Sequence, residues 1–437
     1  MAAPTRPAGL WRHRDFLLLW GGQTVSQIGS QVTILALPLA AIVLLKATTL
    51  QVGLLSTATT CAYLLVALPA GVVADRVSKR RVMLCCDLAS LVVIGSVPVA
   101  HAAGVLTLGQ LYAVALAASA LSAFFLVAYT SYLPSLLERG QLVDGNGKLA
   151  TTQSIAQVAG PGLGALLVGV AGAAGAMAGD AVSFALAAGC LVLIRSREQA
   201  AAGGGAGDGA VAGAAGEARA SRQRRERFGV QLREGLSYVL REPILRKSAA
   251  WSGTANFFVI MVETLGPLFL IRTLHVRPAY VGLLLALGAL GGVAGGLASR
   301  PLTRRVGSAR LCWLSMTVFS LPGLLIPAAG PGARVLLFAA GWMAWAFSST
   351  LCGIALSSYA QAACPVQLRG RVSAVQRWIT WGTLPLGGLA AGALGGAIGV
   401  HATLWIAVAG GCASGLWLLL SPLRRLRDLP AGVLQPA

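Results

Sequence analysis

Charge is what this chain most lacks. Only 11% of its 437 residues are Asp, Glu, Lys or Arg, against roughly 25% in ordinary soluble domains. A chain of this length cannot cover a solvated surface with so few charges. That sets aside a soluble enzyme, a secreted protein and a disordered chain. The eight cysteines (Cys61, Cys85, Cys86, Cys190, Cys312, Cys352, Cys364 and Cys412) form no C-x-x-C pair, and most sit inside apolar runs. They suit packing better than a disulfide framework or a metal site. The four histidines, His13, His101, His275 and His401, are scattered without zinc spacing. There is no Walker sequence, so ATP is not the direct energy source, and no nucleophile–base pair that would mark an enzyme.

What is present is apolar. Hydrophobic residues make up 56% of the chain and the mean hydropathy is +0.74, so the long apolar runs are expected to be membrane-spanning helices. The net charge is +20, from 34 Lys and Arg against 14 Asp and Glu. In a soluble protein that balance would suggest nucleic acid. Here the basic residues fall between apolar runs, the pattern of the positive-inside rule, and no nucleic-acid partner is expected. A basic N-terminal stretch precedes a run from Phe16 to Leu45 that is too long for a signal peptide.

A window of about 19 residues gives twelve spans. The first set is 16–44, 51–74, 82–103, 107–131, 149–171 and 176–195; the second is 247–272, 279–299, 309–329, 332–360, 371–399 and 401–421. The expected organisation is an all-α membrane protein of two six-helix halves, 16–195 and 247–421, with short ends at 1–15 and 422–437. Between the halves, 196–246 begins as an Ala/Gly-rich linker and turns basic at Arg222, Arg224, Arg225 and Arg227. Its last part, Phe228 to Leu245, has Phe228, Leu232, Leu236, Val239 and Leu240 at helical spacing, which predicts an amphipathic helix on the membrane surface. With the N-terminus inside, about 30 of the 34 Lys and Arg fall on the cytoplasmic side; Lys46, Arg272, Arg277 and Arg334 do not. Twelve spans with both termini in the cytoplasm follow from that asymmetry, and the inner (cytoplasmic) cell membrane is the expected location.

The two sets are nearly equal in length, which suggests duplication. Gly71 to Arg81 (G-V-V-A-D-R-V-S-K-R-R) and Gly295 to Arg305 (G-G-L-A-S-R-P-L-T-R-R) share Gly, Ala and three Arg at one offset, with Ser299 opposite Asp75. Two inverted or duplicated halves joined by a linker are an organisation of alternating-access transporters.

Further strings carry a resemblance. They are F-L-L-L-W-G-G-Q-T-V-S-Q-I-G-S near the start, G-V-V-A-D-R-V-S-K-R-R after span two and L-P-S-L-L-E-R-G-Q-L-V-D-G-N after span four. D-A-V-S-F in span six, R-E-G-L-S-Y-V-L-R-E-P-I-L-R before span seven and P-V-Q-L-R-G-R-V before span eleven complete the set. Over almost the whole chain except the linker, the sequence resembles the major facilitator superfamily, in the branch that contains the enterobactin exporter and macrolide efflux proteins. The resemblance implies the major facilitator fold. It also implies a latch on the cytoplasmic side, in which Asp75, with Gly71, Arg76, Arg80 and Arg81 around it, meets the start of span eleven at Arg369 and Arg371. On physical grounds alone, Gly71 permits close helix packing, Asp75 suits a helix N-terminus, and the arginines suit an anionic inner leaflet or serve only as topology signals. Gly160-Pro161-x-x-Gly164 in span five resembles the core of the antiporter motif of exporters, though simple helix packing accounts for it equally well.

Three acids lie within spans: Asp87, Asp180 and Glu263. Each costs roughly 2.5–3.5 kcal/mol near the bilayer centre. For Asp87 and Asp180 a structural pairing is the expected reason, and for Glu263, mid-span with no intrahelical cation, a functional one. The resemblance implies that spans one, four, seven and ten line a central cavity. Those spans carry polar stripes: Gln23, Gln27 and Gln31; Ser119, Ser122 and Tyr129; Asn256 and Glu263; Trp345 and Ser349. Two departures limit what transfers. Span four has no arginine, and Ser30 stands where relatives often have Asp, so their proton relay does not carry over. The function expected is proton-coupled efflux of an amphipathic small molecule such as an antibiotic or siderophore, by a monomer with no cofactor. The alternatives are an uptake permease for a metabolite, and a transport-inactive sensor or lipid-moving enzyme.

Overall fold

The computed structural model describes residues 10, 13–137, 141–194, 233–365 and 368–430; for 63, 64, 67–76, 142, 143 and 158 only the backbone is considered. The described residues are helical from end to end. The first half contains α1 (Arg14–Leu39), α2 (Thr49–Arg76), α3 (Lys79–Ala102) and α4 (Leu108–Leu136). A continuous run Leu142–Leu193 follows, which turns sharply at Gly172 (φ 71°) and so comprises α5 (142–171) and α6 (173–193). After a short helix at 233–241 come α7 (Pro243–Leu268), α8 (Pro278–Val306), α9 (Ser308–Leu314), α10 (Leu336–Ala363), α11 (Arg369–Gly382 and Leu384–Ala397) and α12 (Val400–Ala413). Counting α5 and α6 as one, nine helices among the described residues are long and apolar enough to cross a membrane. The other two, α2 and α11, are a helix of 28 residues and a pair of 14, which makes twelve spans.

Several boundaries differ from those the sequence predicts, and in spans seven, nine and eleven the departure involves a proline. Span seven begins at Pro243 and not at 247, and the helix before it ends at Arg241. Proline disfavours helical geometry in the residue before it, and Glu242 takes an extended conformation (φ −82°, ψ 116°) and caps α7 with its side chain. Of the amphipathic stripe predicted for 228–245, Phe228 and Leu232 lie outside the described residues. Val239 is buried while Leu236 and Leu240 are exposed, so the stripe is not one buried face. Span nine is α-helical only to Leu314, then widens to a π-turn (Ser315–Phe319) and tightens to 3₁₀ around Pro322. Span eleven breaks at Thr383, two residues before Pro385, which has no N–H to give the helix.

The two halves repeat, at a register different from the one the loop sequences suggest. A shift of 229 residues carries Arg14 onto Pro243 at the starts of α1 and α7, and Leu39 onto Leu268 at their ends. The same shift relates the N-caps His13 and Glu242, each accepting a backbone N–H three residues on. It relates Pro38 to Pro267, the π-turns Ala40–Leu44 and Phe269–Thr273, and the left-handed residues Lys46 (φ 50°) and His275 (φ 55°). It brings the start of α3 at Lys79 onto the start of α9 at Ser308. The Gly71/Gly295 alignment is therefore five residues out of step. Asp75 corresponds to Arg304, and Ser299 loses its assigned role. The sequence does carry the true register, as P-L-x-x-I-x-x-L at Pro38–Leu45 and again at Pro267–Leu274.

Loops alternate between an Arg-rich end of the bundle and an opposite end. α2 packs on α11, and α5 on α8. Both seams use small residues, which let backbones approach where lipid offers no hydrophobic drive for association. A Cβ on Gly53 would lie 2.5 Å from the Cα of Gly392, so α2 and α11 touch backbone to backbone there. On the other seam Gly162 and Gly169 face Ala286 and Ala279. All of these positions are in the part of the bundle away from the Arg-rich loops. The buried core has the same asymmetry. One continuous core at the opposite end joins both halves through Leu35, Leu39, Leu111, Leu265, Phe269 and Ile326. At the Arg-rich end there are two separate cores, one around Phe16, Met83 and Tyr132, the other around Ile244, Tyr359 and Val372. The halves are thus closed together at one end and apart at the other.

Candidate functional site

Between the separated ends lies the cavity, and α7 shows most clearly which face borders it. Gly253 and Ile260 meet α11 at Ile379 and Gly387, Phe258 meets α12 at Gly410, and Gly266 meets α10 at Phe338. At 100° per residue these contacts leave one stripe of α7 uncovered: Asn256, Val259 and Glu263, with Ser252 at its end bonded to Thr380 of α11 (2.8 Å). Glu263 is exposed on this stripe, about two thirds of the way along the Pro243–Thr273 span, with no hydrogen bond or ion pair among the described residues. Asn256 anchors its amide on the carbonyl of Ser252 (2.8 Å) and is half-exposed.

The repeat places Gln27 and Ile34 of α1 opposite Asn256 and Glu263. Ile34 is 65% exposed and Gln27 half-exposed, so the two related stripes face the same space. They differ at the deepest position, where one carries a carboxyl and the other a branched alkyl group. On α4, Ser122 is exposed although Ala115 and Leu133 on the same face are buried, which marks an internal opening. Ser119 is half-exposed beside it, and Tyr129 stacks on Phe125 (centroids 6.0 Å, 21°). On α10, the contacts with α7 at Phe338 and with α8 at Met343 and Thr350 leave Ser349 on the face between them, while Trp342 packs on Gly288 of α8.

Several expected cavity residues point elsewhere. Trp345 is 3% exposed; its ring fills the space left by Gly411 and Gly323. It is a packing residue between α10, α12 and the turn after α9. Gln23 is buried, and Gln31 packs on Gly160 of α5. That contact also explains the Gly160-Pro161-x-x-Gly164 string. Gly160 accommodates Gln31, a Cβ on Gly164 would lie 3.3 Å from the Cα of Val32, and Pro161 faces Gly282 across the α5–α8 seam. The string is the crossing point of α1, α5 and α8.

The embedded acids divide. Asp180 is 1% exposed and accepts from the Thr33 hydroxyl (2.5 Å) and from that of Ser183 (2.9 Å). It ties α6 to α1 at Gly29, where any side chain would strike it, as the pairing expectation requires. Asp87 is equally buried, and its Oδ2 has no partner among the described residues. Among the described residues no ion pair joins Asp87 to the loop before α3; Arg80 caps the end of α6, donating to the carbonyls of Leu191 (2.9 Å) and Val192 (3.0 Å). Such carbonyls are the natural partners of a cation at a helix C-terminus.

The latch residues are likewise spread out. Arg81 is exposed. Arg369 donates to the Cys364 carbonyl (3.2 Å), and Arg371 forms an ion pair with Glu234 of the 233–241 helix in its own half. Gly71 is considered only as backbone, and the side chains of Asp75 and Arg76 lie outside the described residues.

A contact not anticipated closes the opposite end. Arg272, in the π-turn after α7, donates from Nη2 to the Ala47 carbonyl in the turn after α1 (2.5 Å). Close by, Thr264 donates to Ser56 (2.9 Å) and Thr57 to the Pro385 carbonyl (3.2 Å). The signal for Arg272 was in the P-L-x-x-I-x-x-L repeat, where the first half has Val43 at the corresponding position. No cluster of three metal-ligating side chains occurs among the described residues.

Twelve spans in two repeated halves, closed at one end around a polar cavity and open at the other, define an alternating-access membrane transporter. The chain belongs to the Major Facilitator Superfamily, which it matches over residues 19–384. It is 27% identical over 406 residues to the multidrug efflux pump Tap of Mycolicibacterium fortuitum, covering 89% of this chain and 90% of that protein. In structure it is similar to a bacterial homologue of the lysosomal transporter Spinster in an inward-facing, occupied conformation (TM-score 0.73, 14% identity, 98% of this chain and 100% of the other). It is similar also to the nucleoside transporter NupG (TM-score 0.69, 13% identity, 93% and 98%). A third such structure is a bacterial homologue of the iron transporter ferroportin (TM-score 0.70, 15% identity, 93% and 98%). At these identities the structural likenesses establish the fold. The family consists of transporters, so at that level the chain is a multi-pass membrane transporter and not an enzyme.

Proposed function

We propose that this transporter exports an amphipathic small molecule, of the kind antibiotics and siderophores represent, in exchange for protons, and that Glu263 is the coupling acid. The observation that carries the reading is Glu263 itself: exposed within a membrane span, toward its closed end, and without a partner among the described residues. A carboxyl held there at a cost of a few kcal/mol marks a functional position by default. It can be neutralised either by a proton or by a basic group of the substrate, which is the competition an antiporter needs. Identity to a multidrug efflux pump over nine tenths of both chains supports export of such molecules.

By the positive-inside rule the Arg-rich end belongs in the cytoplasm, with both termini there and the protein in the cytoplasmic membrane. The arrangement described above is then inward-open, ready to load from the cell. One chain contains the whole cavity, so a monomer is the working unit. Asp75, in this reading, latches the Arg-rich end to α11 when that end closes, and Arg371 must leave Glu234 to meet it. The deciding measurement is transport into inverted membrane vesicles with an imposed proton gradient. Wild type should accumulate a fluorescent amphipathic amine inside the vesicles, and dissipating the gradient should abolish this. Glu263→Gln should remain folded and membrane-inserted but lose gradient-driven accumulation. Undiminished, gradient-dependent accumulation in that variant would remove Glu263 from the mechanism.

A further inference from the structure

The 233–241 helix carries a feature that transport by the central cavity does not use. The helix is fixed to the second half on one side. Val239 is fully buried, Tyr238 donates to the Ala363 carbonyl (3.0 Å), and Gly235 lies against the backbone of Arg371. Burial, with the neighbouring Cys364 and Glu242, raises the Tyr238 phenol above its ordinary range, so it stays a neutral donor in that contact. On another side, Arg233, Ser237 and Arg241 recur at every fourth residue and so form one line along the helix. With Glu234, Tyr238 and Leu368 they line a groove of about 560 Å³.

The charges in the groove do not cancel. Glu234 is already paired with Arg371. Arg233 and Arg241 have no ion-pair partner among the described residues. They stand about 12 Å apart along the helix axis, with Ser237 midway. Two long guanidinium arms can therefore close on one anion above a hydroxyl donor, the fork geometry that phosphate oxygens match.

The surroundings put this groove at the level of lipid headgroups. Leu236 and Leu240 are 40% and 50% exposed, beside the arginine line on the same helix. Beyond it, at the start of α7, Lys247 lies 4.8 Å from the centre of the ring of the exposed Trp417, in the helical turn after α12. Tryptophan and snorkelling lysine mark the interface. Exposed leucines next to an unpaired arginine pair suit acyl chains beneath a phosphate. We infer that this groove binds the headgroup of an anionic phospholipid, with Arg233 and Arg241 on the phosphate, Ser237 donating to it, and the acyl chains along Leu236 and Leu240. Because the helix rests on the start of α11 through Gly235 and the Glu234–Arg371 pair, a bound lipid also holds the segment that must move when the Arg-rich end closes. The assignment goes beyond the export reading and is independent of transport direction and of Glu263.

The full chain in nanodiscs of phosphatidylcholine with graded phosphatidylglycerol tests this, with lipid retention counted by native mass spectrometry after release. Wild type should retain one phosphatidylglycerol more tightly than the rest. Arg233→Gln/Arg241→Gln should weaken that lipid by roughly 30-fold, on the scale of two surface arginines at an anionic leaflet. Ser237→Leu, which fills the groove without changing charge, should also lose it. Arg424→Gln/Arg425→Gln removes the same charge at the same end and should retain it. Equal loss in this control, or retention in either groove variant, would overturn the site. Displacement of the lipid by millimolar inorganic phosphate would show a soluble-anion site and overturn the lipid assignment.

Discussion

The contact between Arg272 and the Ala47 carbonyl is the sharpest mechanical statement the molecule makes. It crosses between halves, and it can exist only while the end opposite the Arg-rich loops is closed. It should therefore stabilise the inward-open state selectively. Replacing Arg272 by valine gives the second half the residue that the first half has at Val43, and leaves the π-turn backbone compatible with its side chain. A hydrogen bond from a charged donor contributes about 1.5–3 kcal/mol when shielded. Arg272 is exposed, so screening and side-chain entropy reduce this to about 1 kcal/mol. That corresponds to a shift of about fivefold in the inward-open to outward-open ratio. Spin labels at Thr107 and Ala333, one on each half at the closed end, would measure it by distance distributions. The long-distance population should grow in Arg272→Val, and a second pair at Ser78 and Ser308 should show the reverse. Arg272→Lys, which keeps the charge but not the fork, should fall between. Distance distributions identical to wild type in Arg272→Val would mean that the bond is incidental and that the small-residue seams alone hold this end shut.

Three other outcomes follow from the packing. Gly53→Ala puts a methyl group 2.5 Å from the Gly392 backbone; overpacking of this kind costs about 1–3 kcal/mol, and the same labels should report opening of the closed end without loss of expression. Gly29→Ala drives a methyl into Asp180 and Ser183 and should lower the thermal unfolding temperature in detergent and the yield, with Gly29→Ser no better; a variant as stable as wild type would show that α1 and α6 are not clamped there. Trp345→Ala removes a buried ring at a cost of about 3–5 kcal/mol and should reduce stability while leaving the substrate profile of the surviving protein unchanged; an altered profile would return Trp345 to the cavity.

The apolar runs and the distribution of arginine by themselves determined the twelve spans and which loops share an end of the bundle. They can do so because lipid excludes charge and unpaired backbone alike, so span membership is written residue by residue in hydropathy. Glu263 stands out in the sequence for the same reason, as an acid inside an apolar run, and among the described residues it has no ion-pair partner. Hydropathy does not say which neighbour a given face meets. Trp345, Gln23, Gln31 and Ser349 look alike as polar or aromatic marks on cavity helices. Only the packing of α5, α8 and α12 against α1 and α10 turned Ser349 inward and the other three into helix contacts. The same holds for the arginines. Arg80, Arg272 and Arg371 are one residue type at three helix ends, and tertiary structure sent them to the carbonyls closing α6, across the closed gate and to Glu234. A guanidinium takes whatever acceptor the surrounding backbone brings within reach, and that backbone is positioned by helices far away in the chain.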